Sequence, residues 1–123
     1  MTLKIHIDES AVPPYEQVRA QISARARSGE LPVGYRLPTV RGLAESLGLA
    51  ANTVAKAYRA LETDGVIETR GRNGTFVAAA GSAAERELAS AAQAYAERAR
   101  RLGAEETAAR SAVRDALRAA YEA

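Results

Sequence analysis

The sequence predicts a mostly helical α+β chain: three helices and a small β-hairpin, then a two-helix C-terminal extension. Three observations predict it. Val54, Ala57, Tyr58 and Leu61 recur at i, i+3, i+4 and i+7, just after a shorter apolar set at Leu43, Ala44 and Leu47, with Gly48 between them. Two β-type runs, Val66-Ile67-Glu68-Thr69-Arg70 and Thr75-Phe76-Val77, flank Gly71-Arg72-Asn73-Gly74. Beyond residue 78 the chain becomes Ala-rich, with Leu88, Tyr95 and Leu102 repeating every seven residues.

In chain order, Leu3, Ile5 and Ile7 alternate with Lys4 and His6, which reads as a short half-buried strand. Pro14 suits the first position of a helix because that position has no use for an N–H. Helix 1 is predicted from about 14 to 28, with Tyr15, Val18 and Ile22 as its apolar stripe and Gly29 as its C-cap. Leu31-Pro32-Val33-Gly34 reads as a type I turn, with Pro second and Gly fourth. Tyr35-Arg36-Leu37 is a short extended piece before Pro38, which disfavours the helical region for its predecessor. Thr39 is a good N-cap for helix 2, about 39–47. Helix 3 is predicted over about 51–63 and ends at Asp64-Gly65.

Helix, turn, helix, hairpin is the order of a winged helix-turn-helix. With its apolar residues turned inward, helix 3 leaves Asn52, Thr53, Lys56, Arg59 and Thr63 on or near its outer face. In a helix-turn-helix, the first residues of this second helix reach base edges in the major groove. Asn pairs bidentately with adenine, Thr hydrogen-bonds or touches a thymine methyl, and Lys reaches guanine or phosphate. Arg41 at the start of helix 2 falls close to the same groove. The tip Arg70-Gly71-Arg72-Asn73-Gly74 puts two cations on a turn whose glycines allow close approach to a phosphate or minor groove. Each has a plainer reading. Exposed Asn, Thr and Lys often form only a solvated face, Asn73-Gly74 is turn chemistry, and Arg41 could pair with Glu45 four residues on.

Composition narrows the classes. The 123 residues suffice for one ordinary domain, or a small one with an extension. Apolar residues make up 47%, but so many are Ala that the large-side-chain core is lean and calls for a partner chain. The absence of Cys excludes a disulfide framework, a thiolate metal site and a Cys nucleophile. No apolar run nears the ~20 residues of a membrane span and no signal-peptide core opens the chain, so a cytoplasmic protein without membrane contact is expected. Net charge is only +2, and residues 1–80 hold all of the excess, with 10 basic against 8 acidic side chains. There is no His cluster, phosphate loop or nucleophile elbow, so neither catalysis, a metal nor a cofactor is expected.

Residues 78–82 read as a linker with Ser82 as an N-cap. Helices over about 83–102 and 104–122 follow, split at Gly103. Ala84, Ala92 and Ala99 lie beside the Leu88, Tyr95, Leu102 repeat, while Val113, Leu117, Ala120 and Tyr121 share one face of the second helix. Mixed charges run between, including Glu97 with Arg101 and Glu106 with Arg110 at i,i+4. So short and Ala-rich a pair cannot make a large core alone. The expectation is a homodimer held through Leu88, Tyr95, Leu102, Val113, Leu117 and Tyr121, setting half-sites near one DNA turn apart, ~34–36 Å. The alternative is an intrachain hairpin lying on the N-terminal domain. About 40 residues cannot enclose a conventional ligand pocket, so a small-molecule effector, if one exists, belongs at an interface.

The chain also resembles a known family. Pro14-Tyr15-Glu16-Gln17-Val18, the stretch Gly29-x-Leu31-Pro32-x-Gly34-x-Arg36-Leu37-Pro38-Thr39-Val40-Arg41, and Leu43-Ala44-x-x-Leu47-Gly48 are similar to the N-terminal domain of GntR-type transcriptional regulators. Asn52-Thr53-Val54-x-Lys56-Ala57-Tyr58-x-x-Leu61-Glu62-x-x-Gly65-x-Ile67 and Gly71-x-x-Gly74-Thr75-Phe76-Val77 continue the likeness. It is most similar to the short YtrA-type branch. The resemblance implies a DNA-binding domain over residues 1–78, a dimerisation and possible effector region over 83–123, and a homodimeric repressor on an inverted-repeat operator in double-stranded DNA. It implies contacts from Thr39, Arg41, the start of helix 3 and the wing. Ala50, Ala51 and Ala55 depart from residues common in relatives, a capping or polar residue and a second Arg. Asn52, Thr53 and Lys56 therefore carry more of the specificity. The competing reading is a winged-helix module that binds protein without specific DNA recognition.

Overall fold

A computed structural model describes residues 3–80 and 83–122. They form two compact units, within Met1–Ser82 and Ala83–Ala123.

The first unit is built from α1 (Pro14–Ser28), α2 (Val40–Leu47) and α3 (Ala51–Thr63), followed by a hairpin of β1 (Ile67–Thr69) and β2 (Thr75–Val77). Local chemistry explains the helix ends. Pro14 opens α1, and Gly29 closes it with a left-handed φ of 85°. Thr39 caps α2, its Oγ1 accepting from Gly42 N–H at 3.0 Å, and Gly48 at φ 67° ends that helix tightly enough for α3 to begin three residues later. Val18 and Ile22 of α1, Leu43 and Ala44 of α2, and Val54, Ala57, Tyr58 and Leu61 of α3 meet in one core. Leu31, Leu37, Ile67 and Val77 complete it from the loops and the hairpin. Three helices and a two-stranded antiparallel sheet make a winged helix-turn-helix, as expected from the sequence.

Within this unit the structure corrects the reading in four places. Residues 3–7 are extended, and Leu3, Ile5 and Ile7 pack on the core, but they pair with no strand. Two glutamines of α1 take the place of a strand. Gln21 bonds both the N–H and the carbonyl of His6 (2.9 and 2.6 Å), and Gln17 does the same for Asp8 (3.0 and 3.1 Å). An amide side chain offers one donor and one acceptor side by side, so it copies a neighbouring strand. The turn after α1 lies one residue later than expected, with Tyr35 N–H bonding the Pro32 carbonyl at 2.9 Å and Gly34 at φ 89° in the position that requires it.

The third correction concerns residues 34–37, which run along β2 as well. Gly34 N–H reaches the Val77 carbonyl (2.9 Å), Val77 N–H the Tyr35 carbonyl (3.0 Å), and Leu37 N–H the Thr75 carbonyl (2.8 Å). The wing is thereby tied to the segment that leads into α2. The fourth is the hairpin tip, where Gly71–Asn73 form one 3₁₀ turn rather than a two-residue Asn-Gly turn. Arg70 N–H bonds the Gly74 carbonyl at 2.8 Å, and the left-handed conformations fall on Gly71 (φ 55°) and Gly74 (φ 113°), not on Asn73.

Tyr58 is 7% exposed, and its hydroxyl donates to the Pro38 carbonyl at 2.7 Å, bracing α3 against the residue just before the α2 cap. Burial, and to a lesser degree Tyr35, pushes its hydroxyl well above the usual tyrosine range. The raised folded value means this contribution is intact below about pH 10, where tyrosine stays protonated in the unfolded chain, and declines above it. Tyr58→Phe should cost about 1–2 kcal/mol in denaturant unfolding at neutral pH. The difference from the parent should narrow as pH rises past 10.

The second unit consists of α4 (Ala83–Arg101) and α5 (Glu106–Tyr121), joined by a turn in which Gly103 adopts φ 79°. The expected N-cap, Ser82, and the side chain of Ala84 lie outside what is described. Helix α5 starts two residues later than the pattern suggested, because Glu105 is extended (ψ 159°) ahead of it. Tyr95 donates its hydroxyl to the Ala109 carbonyl at 2.6 Å, which ties the two helices together. The expected Glu106–Arg110 pair forms, but Glu97–Arg101 does not.

Candidate nucleic-acid interface

The helix-turn-helix places the candidate residues on short, well-anchored elements. Arg41 is the second residue of α2 and is exposed. It forms no ion pair with Glu45, so the plainer reading of this side chain does not apply. Asn52 and Thr53 are the second and third residues of α3, Asn52 exposed and Thr53 half-buried, and neither side chain makes a hydrogen bond among the described residues. Ala50 stands at the N-cap of α3 with no side-chain cap, as its sequence required. The first N–H groups of the helix are thus left to solvent or to an anion.

Three candidates turn out to have partners. Thr39 Oγ1 accepts from Gly42 N–H, so its first task is to cap α2, and only its hydroxyl proton remains to donate outward. Lys56 is exposed, but its ammonium lies 4.0 Å from the centre of the Tyr15 ring on α1. Arg70 pairs with Glu68 (3.1 Å) and its guanidinium sits 4.4 Å over the Phe76 ring. Arg70 therefore stiffens the wing from within, as a planar guanidinium stacked on an aromatic face does. Arg72, by contrast, is exposed and forms no ion pair, and it stands at the outermost turn between Gly71 and Gly74. Asn73 is exposed beside it.

Sequence reasoning missed Arg36. It is exposed, lies on the segment that pairs with β2, and its guanidinium lies so close to Gly74 that a Cβ there would stand 2.8 Å from Arg36 Nε. Gly74 is required by its φ of 113°, whereas the Arg36 guanidinium beside it is the end of a flexible side chain that can shift. The signal was present in Gly34-x-Arg36-Leu37-Pro38, but the segment's pairing with the wing depends on a non-local contact. The wing and its root carry three guanidinium groups, Arg36, Arg70 and Arg72, around one glycine-rich tip.

Residues 14–77 match the description of bacterial regulatory proteins of the gntR family. The chain belongs to that family. Across 100 residues it is 48% identical to the HTH-type transcriptional regulator Rv1152 of Mycobacterium tuberculosis, spanning 80% of this chain and 82% of that protein. It is 42% identical over 74 residues to the HTH-type transcriptional repressor YtrA of Bacillus subtilis, 59% of this chain and 57% of the relative. Among solved structures, the AraR DNA-binding domain in complex with operator ORE1 superposes with a TM-score of 0.52 at 27% identity, covering 62% of this chain and 94% of that one. This gntR member is a DNA-binding transcriptional regulator of the YtrA-like kind, and the relatives it matches are named as transcriptional regulators. Among the described residues, no helix is long and apolar enough to cross a membrane.

The second unit exposes what the sequence marked as its apolar stripe. Leu88 (72%), Leu102 (73%), Leu117 (52%) and Tyr121 (84%) are open, Tyr95 and Val113 are just over a third exposed, and Ala99 alone is buried among its described residues. Tyr95, Ala99, Ala109 and Val113 line an open groove of about 460 Å³ between α4 and α5, with Arg100 and the Glu106–Arg110 pair at its edge.

Proposed function

We propose that this gntR regulator is a homodimeric repressor that binds an inverted-repeat operator, with α3 in the major groove and the wing on the flanking backbone. The observation that carries the reading is the set of unoccupied polar side chains at the helix-turn-helix. Arg41, Asn52 and Thr53 stand at the N-terminal ends of α2 and α3 without partners, and Arg72 extends from the wing tip. Asn52 and Thr53 supply base recognition, whereas Arg41, Arg72 and the hydroxyl proton of Thr39 supply phosphate contacts. Gly71, Asn73 and Gly74 let the wing backbone come close to DNA, and Arg70 holds the wing in shape. Repression is favoured by the likeness to the YtrA repressor, and operator binding by the likeness to the AraR domain bound to its operator. Such a protein acts in the cytoplasm, where the chromosome is.

The first unit, about 1–78, is the DNA-binding domain in this reading, and the second, 83–123, the dimerisation region. Leu88, Tyr95, Leu102, Val113, Leu117 and Tyr121 belong to the two-fold interface. A two-helix unit whose described side chains include a single buried one lacks the core to stand alone, and a second copy supplies the missing surface. If a small-molecule effector acts, the groove beside Tyr95 and Val113 at that interface is where it would bind.

The test is to select sheared genomic fragments with the purified protein, in parallel with an Asn52→Ala/Lys56→Ala double variant. The expected result is an enriched inverted repeat that the double variant fails to enrich, with affinity falling steeply as salt rises. Equal retention of all fragments would reduce the function to phosphate binding. No retention even at low salt would transfer the reading to a protein-binding winged helix.

A further inference from the structure

Lys56 has one contact that the helix-turn-helix does not explain. It rises from the outer face of α3, yet its ammonium nitrogen lies 4.0 Å from the centre of the Tyr15 ring, in the first turn of α1. Among the described residues no carboxylate pairs with Lys56, and the ring is its partner there. Tyr15 is itself half-buried and packed against the core, and its backbone is held where Pro13 and Pro14 start the helix. A cation over the face of a fixed aromatic ring is attracted to the ring's negative face. A lysine stem otherwise samples many rotamers, and that freedom is lost when it binds an anion.

We infer that Tyr15 is a positioning residue of the DNA-binding surface: it holds the Lys56 ammonium beside α1, presenting it to a DNA phosphate rather than to a base edge. The inference rests on the proposed DNA-binding reading of α3. The contact draws the ammonium from α3 towards the start of α1. A point charge held this way suits a phosphate better than a base edge, which asks for a directed donor. Pre-ordering of a flexible cation lowers the entropic cost of the contact. The base-reading work then falls to Asn52 and Thr53, and Lys56 contributes charge.

The experiment uses the full chain with Tyr15→Phe, Tyr15→Leu, Lys56→Met and the Tyr15→Leu/Lys56→Met double variant. Without DNA, the Lys56 ε-methylene protons should be shifted upfield by the ring in the parent and in Tyr15→Phe, and should return to ordinary values in Tyr15→Leu. With the enriched operator fragment, Tyr15→Phe should bind within about twofold of the parent, and Tyr15→Leu about two- to fivefold more weakly. Adding Tyr15→Leu to Lys56→Met should cost nothing further, and Lys56→Met should lower the salt slope by about one contact without relaxing base preference. An equal loss from Tyr15→Leu with or without Lys56 would overturn the inference, as would a loss in Tyr15→Phe, which would make the hydroxyl the contact. Tighter binding by Tyr15→Leu would also overturn it, showing that the ring competes with DNA for the cation. Failure of the parent itself to bind DNA overturns the DNA reading, and the ring shift separates that failure from absence of the Tyr15–Lys56 contact.

Discussion

Leu88→Glu combined with Leu117→Glu should leave a monomer whose first unit stays folded and reduce operator affinity by about 10²–10⁴-fold. Both side chains are more than half exposed in the single chain, so a carboxylate at either costs its own fold little. In the proposed two-fold interface the same carboxylates would be buried in an apolar stripe, where an unpaired charge is expensive. Splitting the dimer turns one bivalent binding event into two independent ones, and the lost effective concentration sets the size of the effect. Sedimentation reads the assembly and salt-controlled titration reads the affinity. A chain ending at Ala80 makes the companion case, because it keeps the Ala78 N–H bond to the Val66 carbonyl that closes the first unit. A stable dimer in that shortened chain would mean the tail does not hold the copies together, and would return the intrachain hairpin to consideration.

Leu61→Ala should destabilise the first unit by about 2–5 kcal/mol. Leu61 is fully buried near the end of α3, in the core where α1, α2, α3 and the hairpin strands meet. Truncation removes three carbons and leaves a cavity that the surrounding elements cannot all collapse into. For a small unit with total stability of roughly 5–15 kcal/mol, this is a large share. The urea midpoint should fall by about 1 M or more, and DNA binding should be lost with folding rather than before it. A change below about 1 kcal/mol would mean that this end of α3 is not packed as described.

Much of the first unit was legible because its signals are local. A Pro-Pro pair and Gly29 delimit α1, Thr39 and Gly48 delimit α2, and the spacing of Val54, Ala57, Tyr58 and Leu61 turns α3 to one face. Each depends on backbone preferences or side-chain periodicity within a few residues. The extended segment at residues 3–7 shows the limit of such reasoning. Alternation correctly placed Leu3, Ile5 and Ile7 inward, but it could not say that the partners of that backbone are Gln17 and Gln21 rather than a strand.

The site divides in the same way. That Asn52 and Thr53 face outward at the start of α3, and that Arg72 tops the wing, followed from helical phase and turn chemistry alone. Only the tertiary structure decided that Lys56 rests on Tyr15, that Arg70 is held by Glu68 and Phe76, and that Arg36 lies against Gly74. A long cationic side chain reaches across elements, and its partner is set by which helix or strand lies beside it. The sequence determined by itself where the three helices of the first unit begin and which way their apolar faces turn, since those are settled by each residue and its near neighbours. The fold decided which cations are held by a protein partner, because that depends on surfaces distant in the chain.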